Sequence, residues 1–353
     1  MRKTIGRLTT MHVVVATLVL LGVFGRAPRA DDTGFASRKP VLAAACKVCP
    51  WGAAAEILKQ AAQPYGWDIQ ICYNCWRADN PKLVAGAGMP PRVVLPPYIP
   101  PSQVPPPPNG RVDFGVTSVQ NVFNAYHGSG AFTADGPRSN LRLIANIQAP
   151  NYLIVAVKAS LGVTDLRALW EKRRPVRIVA GSGDVDGVLA YYGLTRQAIE
   201  SSGGHIGNGN DPEERKNFDV VIAGGSLGNA PEYNVWYEVS QKFDLVYPQL
   251  PDDLLAQLAK DPTFQREVIP NGLLRGIDHP IKTVARTGIM IYSRADAPED
   301  FAYAIAKAMD EHQDLLQWGH LNLSYNARTV WKALDIPLHP GAARYYREQR
   351  YMK

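Results

Sequence analysis

The four cysteines are the residues whose type and spacing come closest to doing chemistry. They stand as Cys46-Lys-Val-Cys49 and Cys72-Tyr-Asn-Cys75. In the cytosol, two C-x-x-C units point to a zinc tetrathiolate. In an oxidising compartment an even count favours disulfides. Neither unit is followed by His, which excludes covalent haem attachment. Cys46 and Cys49 also precede Pro50 at a strand-to-helix junction, where a helix N-terminus depresses a thiol pKa, so a redox dithiol is a third reading. Other catalytic patterns are missing. The chain has no G-x-S-x-G elbow, no H-E-x-x-H and no Walker sequence, and its seven His show no ligand spacing. No nucleophile–base pair emerges, and a non-enzymatic protein without a cofactor is expected.

The N-terminus decides the compartment. Arg2, Lys3 and Arg7 precede a largely apolar run from Met11 to Phe24, and small residues follow at Gly25, Ala27 and Ala30. That is the layout of a secretory signal peptide over residues 1–30, and the run is shorter than the ~20 residues a spanning helix needs. Export to the periplasm is the expectation, with the mature chain starting near Asp31 or Asp32. Export favours disulfides at all four cysteines. Five of the six net positive charges belong to the first thirty residues, leaving the rest at +1. Such a chain lacks the field that steers nucleic acid.

Strand-like runs alternate with helical ones along the mature chain. Pro40–Ala45, a helix from Pro50 to about Gln63 ended by Gly66, and Trp67–Cys72 form a β–α–β unit. Residues 89–110 hold so many prolines that they read as an extended surface loop. A strand from Arg111 to Val116 leads into a helix from Val119 to Tyr126. Strands follow at 140–147, 152–157, 176–180, 218–222 and 243–247, with helices at 163–170 and 185–192, another between the last two strands, and a helical tail from about Pro298. The alternation predicts an α/β fold with mostly parallel sheets. No internal repeat is visible.

In open α/β sheets ligands lie beyond the carboxyl ends of strands. That rule selects four turns: 46–52, 117–120, 181–184 and 224–229. Gly181-Ser182-Gly183-Asp184 offers free N–H groups to an anion, although it equally suits an ordinary capped turn, and the Asp184 carboxylate would repel an anion there. Gly224-Gly225-Ser226-Leu-Gly228-Asn229 offers close backbone approach and side-chain hydrogen bonds.

Several segments carry a family resemblance. They are DFGVTS (113–118), AYHGSGAF (125–132), NLRLIANIQAPNYLIVAVK (140–158), the GSGD turn (181–184), VIPNGLLRG (268–276) and IPLHPGAARYYRE (336–348). With these the chain resembles the TAXI family, the periplasmic solute receptors of tripartite ATP-independent (TRAP) transporters. The resemblance implies a two-lobed, type II-like periplasmic-binding-protein fold, each lobe a mostly parallel sheet flanked by helices. Residues 39–150 plus 285–353 would form one lobe and 151–284 the other. It also implies a small organic acid as ligand, amino acids included, passed to a membrane permease. The ligand-binding residues would be Thr117, Ser118 and Gln120 from one lobe and Ser182, Gly183, Asp184, Gly225, Ser226 and Asn229 from the other. Tyr152 would sit at the hinge, and Trp51 could stack on the ligand. The chain departs from the family in the Cys46–Gly52 loop, which replaces a glycine-rich one, in Asp184 and in the proline-rich insert. Those departures suggest an aromatic or less anionic solute.

Overall fold

The computed structural model describes residues 34–44, 50–73, 75, 80–90, 107–147, 150–172, 175–181, 184–209, 211–225, 235–286, 288–319, 321 and 324–352. The signal-like segment 1–30, Cys46, Cys49, Ser182, Gly183, Ser226, Asn229 and most of the proline-rich run lie outside these residues. No helix among the described residues is long and apolar enough to cross a membrane.

The first part of the chain forms β1 (Val41–Ala43), α1 (Pro50–Ala62), β2 (Gln70–Cys72), α2 (Asn80–Gly86), β3 (Val112–Ser118), α3 (Val119–His127) and β4 (Leu141–Ile147). β5 (Asn151–Lys158), α4 (Leu166–Lys172), β6 (Arg177–Ala180), α5 (Val185–Tyr191), α6 (Arg196–Ser201) and β7 (His205–Asn208) come next. They are followed by β8 (Val220–Gly225), α7 (Val235–Lys242), β9 (Leu245–Val246), α8 (Asp252–Leu258), β10 (Gln265–Ile269) and β11 (Ile281–Arg286). β12 (Ile289–Arg294), α9 (Glu299–Glu311) and α10 (Pro340–Glu348) complete the fold.

These strands make two separate sheets, which gives the molecule two lobes. The first has the order β2-β1-β3-β12-β4, and the second β10-β11-β5-β8-β6-β7, with β9 pairing to β5. The chain leaves the first sheet after Ile147, enters the second at Asn151, and returns between Arg286 and Ile289. β11 therefore keeps Ala285 and Arg286 in the second sheet.

The two sheets share one plan. In each, a parallel β–α–β pair is joined by a third parallel strand: β2-β1-β3 in the first and β7-β6-β8 in the second. The next strand runs antiparallel and is the one that follows a crossing from the other sheet, β12 in the first and β5 in the second. The expectation of mostly parallel sheets is thereby corrected to mixed sheets. β5 and β12 oppose the strands on both sides because they enter from the opposite lobe. The duplication is one of topology, and no sequence repeat accompanies it.

Each sheet is covered on both faces, so its central strands are largely apolar on both. One face of the first sheet presents Leu42, Phe114, Val116 and Ile291 to α1, α9 and α10, and the other presents Val112, Leu143, Met290 and Tyr292 to α2 and α3. Phe301 is the hub of the first core. Its ring lies 4.7 Å from Phe35, 5.0 Å from Trp67 and 4.9 Å from Phe114, in tilted and edge-on geometries that add about 0.5–1.5 kcal/mol per pair to area burial. In the second lobe Val155, Ile178, Val220 and Ile222 face Leu254 and Leu255, while Ile154, Val179 and Val221 face Trp236.

The start of the chain follows the sequence closely. β1 and β2 pair in parallel with Ala43 opposite Cys72, and Gly66 stops the intervening helical segment in the left-handed conformation. Cys72 and Cys75 form a disulfide buried in the first lobe. Asn80 locks this corner, donating to the carbonyls of Ala43 and Cys75 and accepting from the Tyr292 hydroxyl.

Candidate functional site

A cavity of about 460 Å³ lies where the two sheets meet. From the first lobe it is lined by Ser118, Val119, Gln120 and Asn146, and by Asn326, Thr329 and Lys332 from the loop that precedes α10. From the second lobe come Thr263, Gln265, Glu267 and Arg286, and Pro150 and Gly288 mark the two crossings. Both chain crossings border the cavity, so any movement of one lobe against the other changes its width.

The first wall is built at the end of β3. Ser118 stops the strand and caps α3, its hydroxyl accepting the Asn121 N–H at 3.2 Å. The positive end of the α3 dipole therefore faces the cavity at Ser118–Gln120. Asn146 stands one residue before the end of β4. It is 4% exposed and donates its amide to the Lys332 carbonyl at 3.0 Å, which ties the late loop to the sheet. Gly288 presses against it with φ +102°, and a Cβ there would fall 2.0 Å from Asn146 Oδ1. Only glycine fits both the conformation and the space.

The second wall centres on Arg286, the last residue of β11. Its Nε donates to Thr263 Oγ1 at 3.1 Å and its Nη2 to Asp261 Oδ2 at 3.0 Å. Its guanidinium carbon sits 3.5 Å from the centre of the Phe264 ring. Thr263 in turn donates from both N–H and hydroxyl to Asp261 Oδ1, at 2.9 and 2.7 Å. One edge and one face of the guanidinium are thus fixed by protein. Nη1 has no partner among the described residues, which leaves donors for a planar acceptor in the cavity. Burial draws Arg286 below its ordinary pKa, and the nearby Asp261 and Asp184 oppose that fall. Burial alone would raise the Asp261 carboxyl, but the hydrogen bonds from Thr263 and Arg286 outweigh it and hold the group below its ordinary value.

Of the residues expected to contact ligand, Ser118 and Gln120 line the cavity together. Thr117 is 1% exposed, belongs to the core of β3 and accepts from Asn121 Nδ2 at 3.4 Å. Tyr152 is buried beneath the second sheet, close enough to Glu267 for that carboxylate to add to the rise that burial imposes on its hydroxyl pKa. Asp184 caps α5 through the Gly187 N–H at 2.9 Å, and reaches the site through its field on Arg286. Gly225 is spent on packing, since a Cβ there would meet Trp236 at 2.7 Å and Ile154 at 2.8 Å. Trp51 packs half-buried on the first core and is not among the residues lining this cavity.

The sequence reading passes over Arg286, Thr263, Gln265, Glu267, Asn146 and Lys332. β10 is polar and exposed along most of its length, so it carries no apolar alternation to mark it as a strand. A usable signal lies in the expected lobe boundary at 284–285, because a cation beside a boundary between lobes is placed next to the cleft.

Residues 108–349 match the model of a family described as NMT1-like. Solved structures similar to this chain include a TctC solute binding protein from Polaromonas, at 9% identity over 89% of this chain and 98% of that one, with a TM-score of 0.40. The periplasmic aliphatic sulphonate binding protein SsuA from Escherichia coli is 10% identical over 88% of this chain and 78% of its own, with a TM-score of 0.38. A structure described as a periplasmic transporter is 14% identical over 88% of this chain and 92% of its own, at 0.37.

Proposed function

This chain belongs to the NMT1-like family, and from that premise and the cleft we propose that it is a periplasmic solute-binding protein that captures a small organic acid. The lobe built on residues 39–150 and the C-terminal segment closes on the lobe built on the middle segment, and the ligand carboxylate docks on Arg286. The captured solute passes to a membrane permease of the TRAP type, in keeping with the resemblance to TAXI receptors. The protein binds its solute without transforming it.

The observation that carries this reading is the half-used guanidinium in a cavity shared by two lobes. Arg286 is already oriented by Asp261, Thr263 and Phe264, so little rotamer freedom is lost when a ligand arrives. The polar wall around it has the few fixed hydrogen-bonding groups that small-molecule sites use for orientation. An aromatic solute has less support, because Trp51 is not among the residues lining this cavity. The metal and thiol-redox alternative is not favoured, since the chain belongs to the NMT1-like family and Cys72 and Cys75 are already bonded to each other.

A thermal-shift panel of small mono- and dicarboxylates on the wild type and on Arg286→Gln tests the reading. At a hundredfold excess over Kd, a bound solute adds about 2.7 kcal/mol of stability and a shift of several degrees. The expected result is stabilisation of the wild type by at least one carboxylate and a loss of ~30-fold or more in affinity in Arg286→Gln, from removal of charged hydrogen bonds. A panel in which no carboxylate stabilises the wild type would overturn the proposal.

A further inference from the structure

The charges around Arg286 narrow the solute further, and this step rests on the reading of the cleft as a carboxylate site. Arg286 and Lys332 are the cations lining the cavity, and the N-terminal end of α3 adds about half a positive charge. Against them stand three carboxylates. Asp261 is paired to the guanidinium at 3.0 Å, Asp184 acts on it through its field, and Glu267 lines the same cavity from the opposite face of the β10–β11 pair. Glu267 is half-buried on β10 and has no ion pair among the described residues. Lys332 is exposed, and its ammonium lies over the Trp331 ring at 4.9 Å with no carboxylate partner among the described residues.

A cavity evolved for simple anions would gather uncompensated cations. This one compensates its best-placed cation with aspartates and then sets a further, unpaired carboxylate into the wall. A dicarboxylate seated on Arg286 would bring its second charge into the field of Glu267 and Asp184, with only the solvated Lys332 and the partial charge of the α3 N-terminus to offset it. A ligand with a cationic group finds the reverse, because Glu267 supplies the counter-charge that the protein itself does not.

We propose that the solute is a small zwitterion with no net negative charge, its carboxylate on Arg286 and its cationic nitrogen turned toward Glu267. The discrimination is electrostatic, so it works by repelling the wrong ligand as much as by holding the right one.

The test uses matched linear acids of four to six carbons, each as the ω-amino acid, the dicarboxylate and the monocarboxylate, in isothermal titrations of the full chain at fixed ionic strength. The proposal expects the tightest zwitterion to bind at least about tenfold more tightly than the tightest dicarboxylate, with the monocarboxylate between them. In Glu267→Gln, which keeps side-chain size and removes only the charge, that ratio should shrink about fivefold, roughly what one charge exerts across a partly solvated cavity. Dicarboxylates binding as tightly as zwitterions to the wild type would overturn the proposal while leaving the carboxylate reading intact. So would a ratio unchanged by Glu267→Gln. Failure of every compound to bind would instead remove the carboxylate reading, and this inference with it.

Discussion

Asp113 gives the most quantitative prediction. It sits in β3 and is completely buried. Its Oδ2 accepts the N–H of Val41 at 2.8 Å and of Gly34 at 3.2 Å, while Oδ1 has no hydrogen-bond partner. Burial pushes the carboxyl up from 3.8 to about 6, against the pull of the Val41 hydrogen bond, the Arg294 charge and the Gly34 hydrogen bond. The folded chain therefore binds this proton more tightly than the unfolded chain. The resulting stabilisation is complete below about pH 4 and is lost as pH rises through about 6. Moving a pKa by that interval corresponds to about 3 kcal/mol. Asp113→Asn stays neutral at every pH and keeps an oxygen to accept the same two N–H groups. Urea unfolding of both proteins from about pH 4 to about pH 7.5 should show the stability difference moving by about 2.5 kcal/mol, most of that interval, in favour of Asn as pH rises. Other titrations are common to both proteins and cancel in the difference. A flat difference, or one that moves toward Asp, would refute the reasoning.

Two further outcomes are expected. Gly288→Ala puts a Cβ 2.0 Å from Asn146 Oδ1 and 2.6 Å from Val119 Cγ2 at a φ of +102°, so urea titration should show a loss of about 2–4 kcal/mol. Replacing Cys72 and Cys75 together by Ser opens a four-residue loop and should cost about 2 kcal/mol by the chain-entropy account, read as a lower melting temperature. Free thiols at these positions in the exported wild type would contradict the disulfide.

How much was legible in the sequence depends on how local each signal is. The β1–α1–β2 unit, the β3–α3 junction capped by Ser118 and the strand pair around Gln148–Pro150 all announce themselves through apolar runs, glycine stops and capping residues a few positions apart. Strand direction is another matter. β5 and β12 read as buried strands whichever way their neighbours run, and their orientation follows from the crossings between lobes. β12 also hides a charge, since buried Arg294 spends Nη1 on the carbonyls of Val84, Val112 and Asp113 and its Nε on Asp296. In the cleft, Ser118 and Gln120 were found because a strand-end rule points at them. Arg286 meets Thr263 and Asp261 from more than twenty residues away, from the end of β11 and the turn before β10, and no spacing in the chain predicts that meeting.

Hydrogen exchange with and without the carboxylate that gives the largest thermal shift tests the central claim most directly, because it reports where the ligand sits. Binding in the cleft predicts added protection in 118–121, 263–267, 285–289 and 326–334, on both lobes at once. Protection confined to one lobe, or centred on the Trp51 end of α1 with these four segments unchanged, would contradict it.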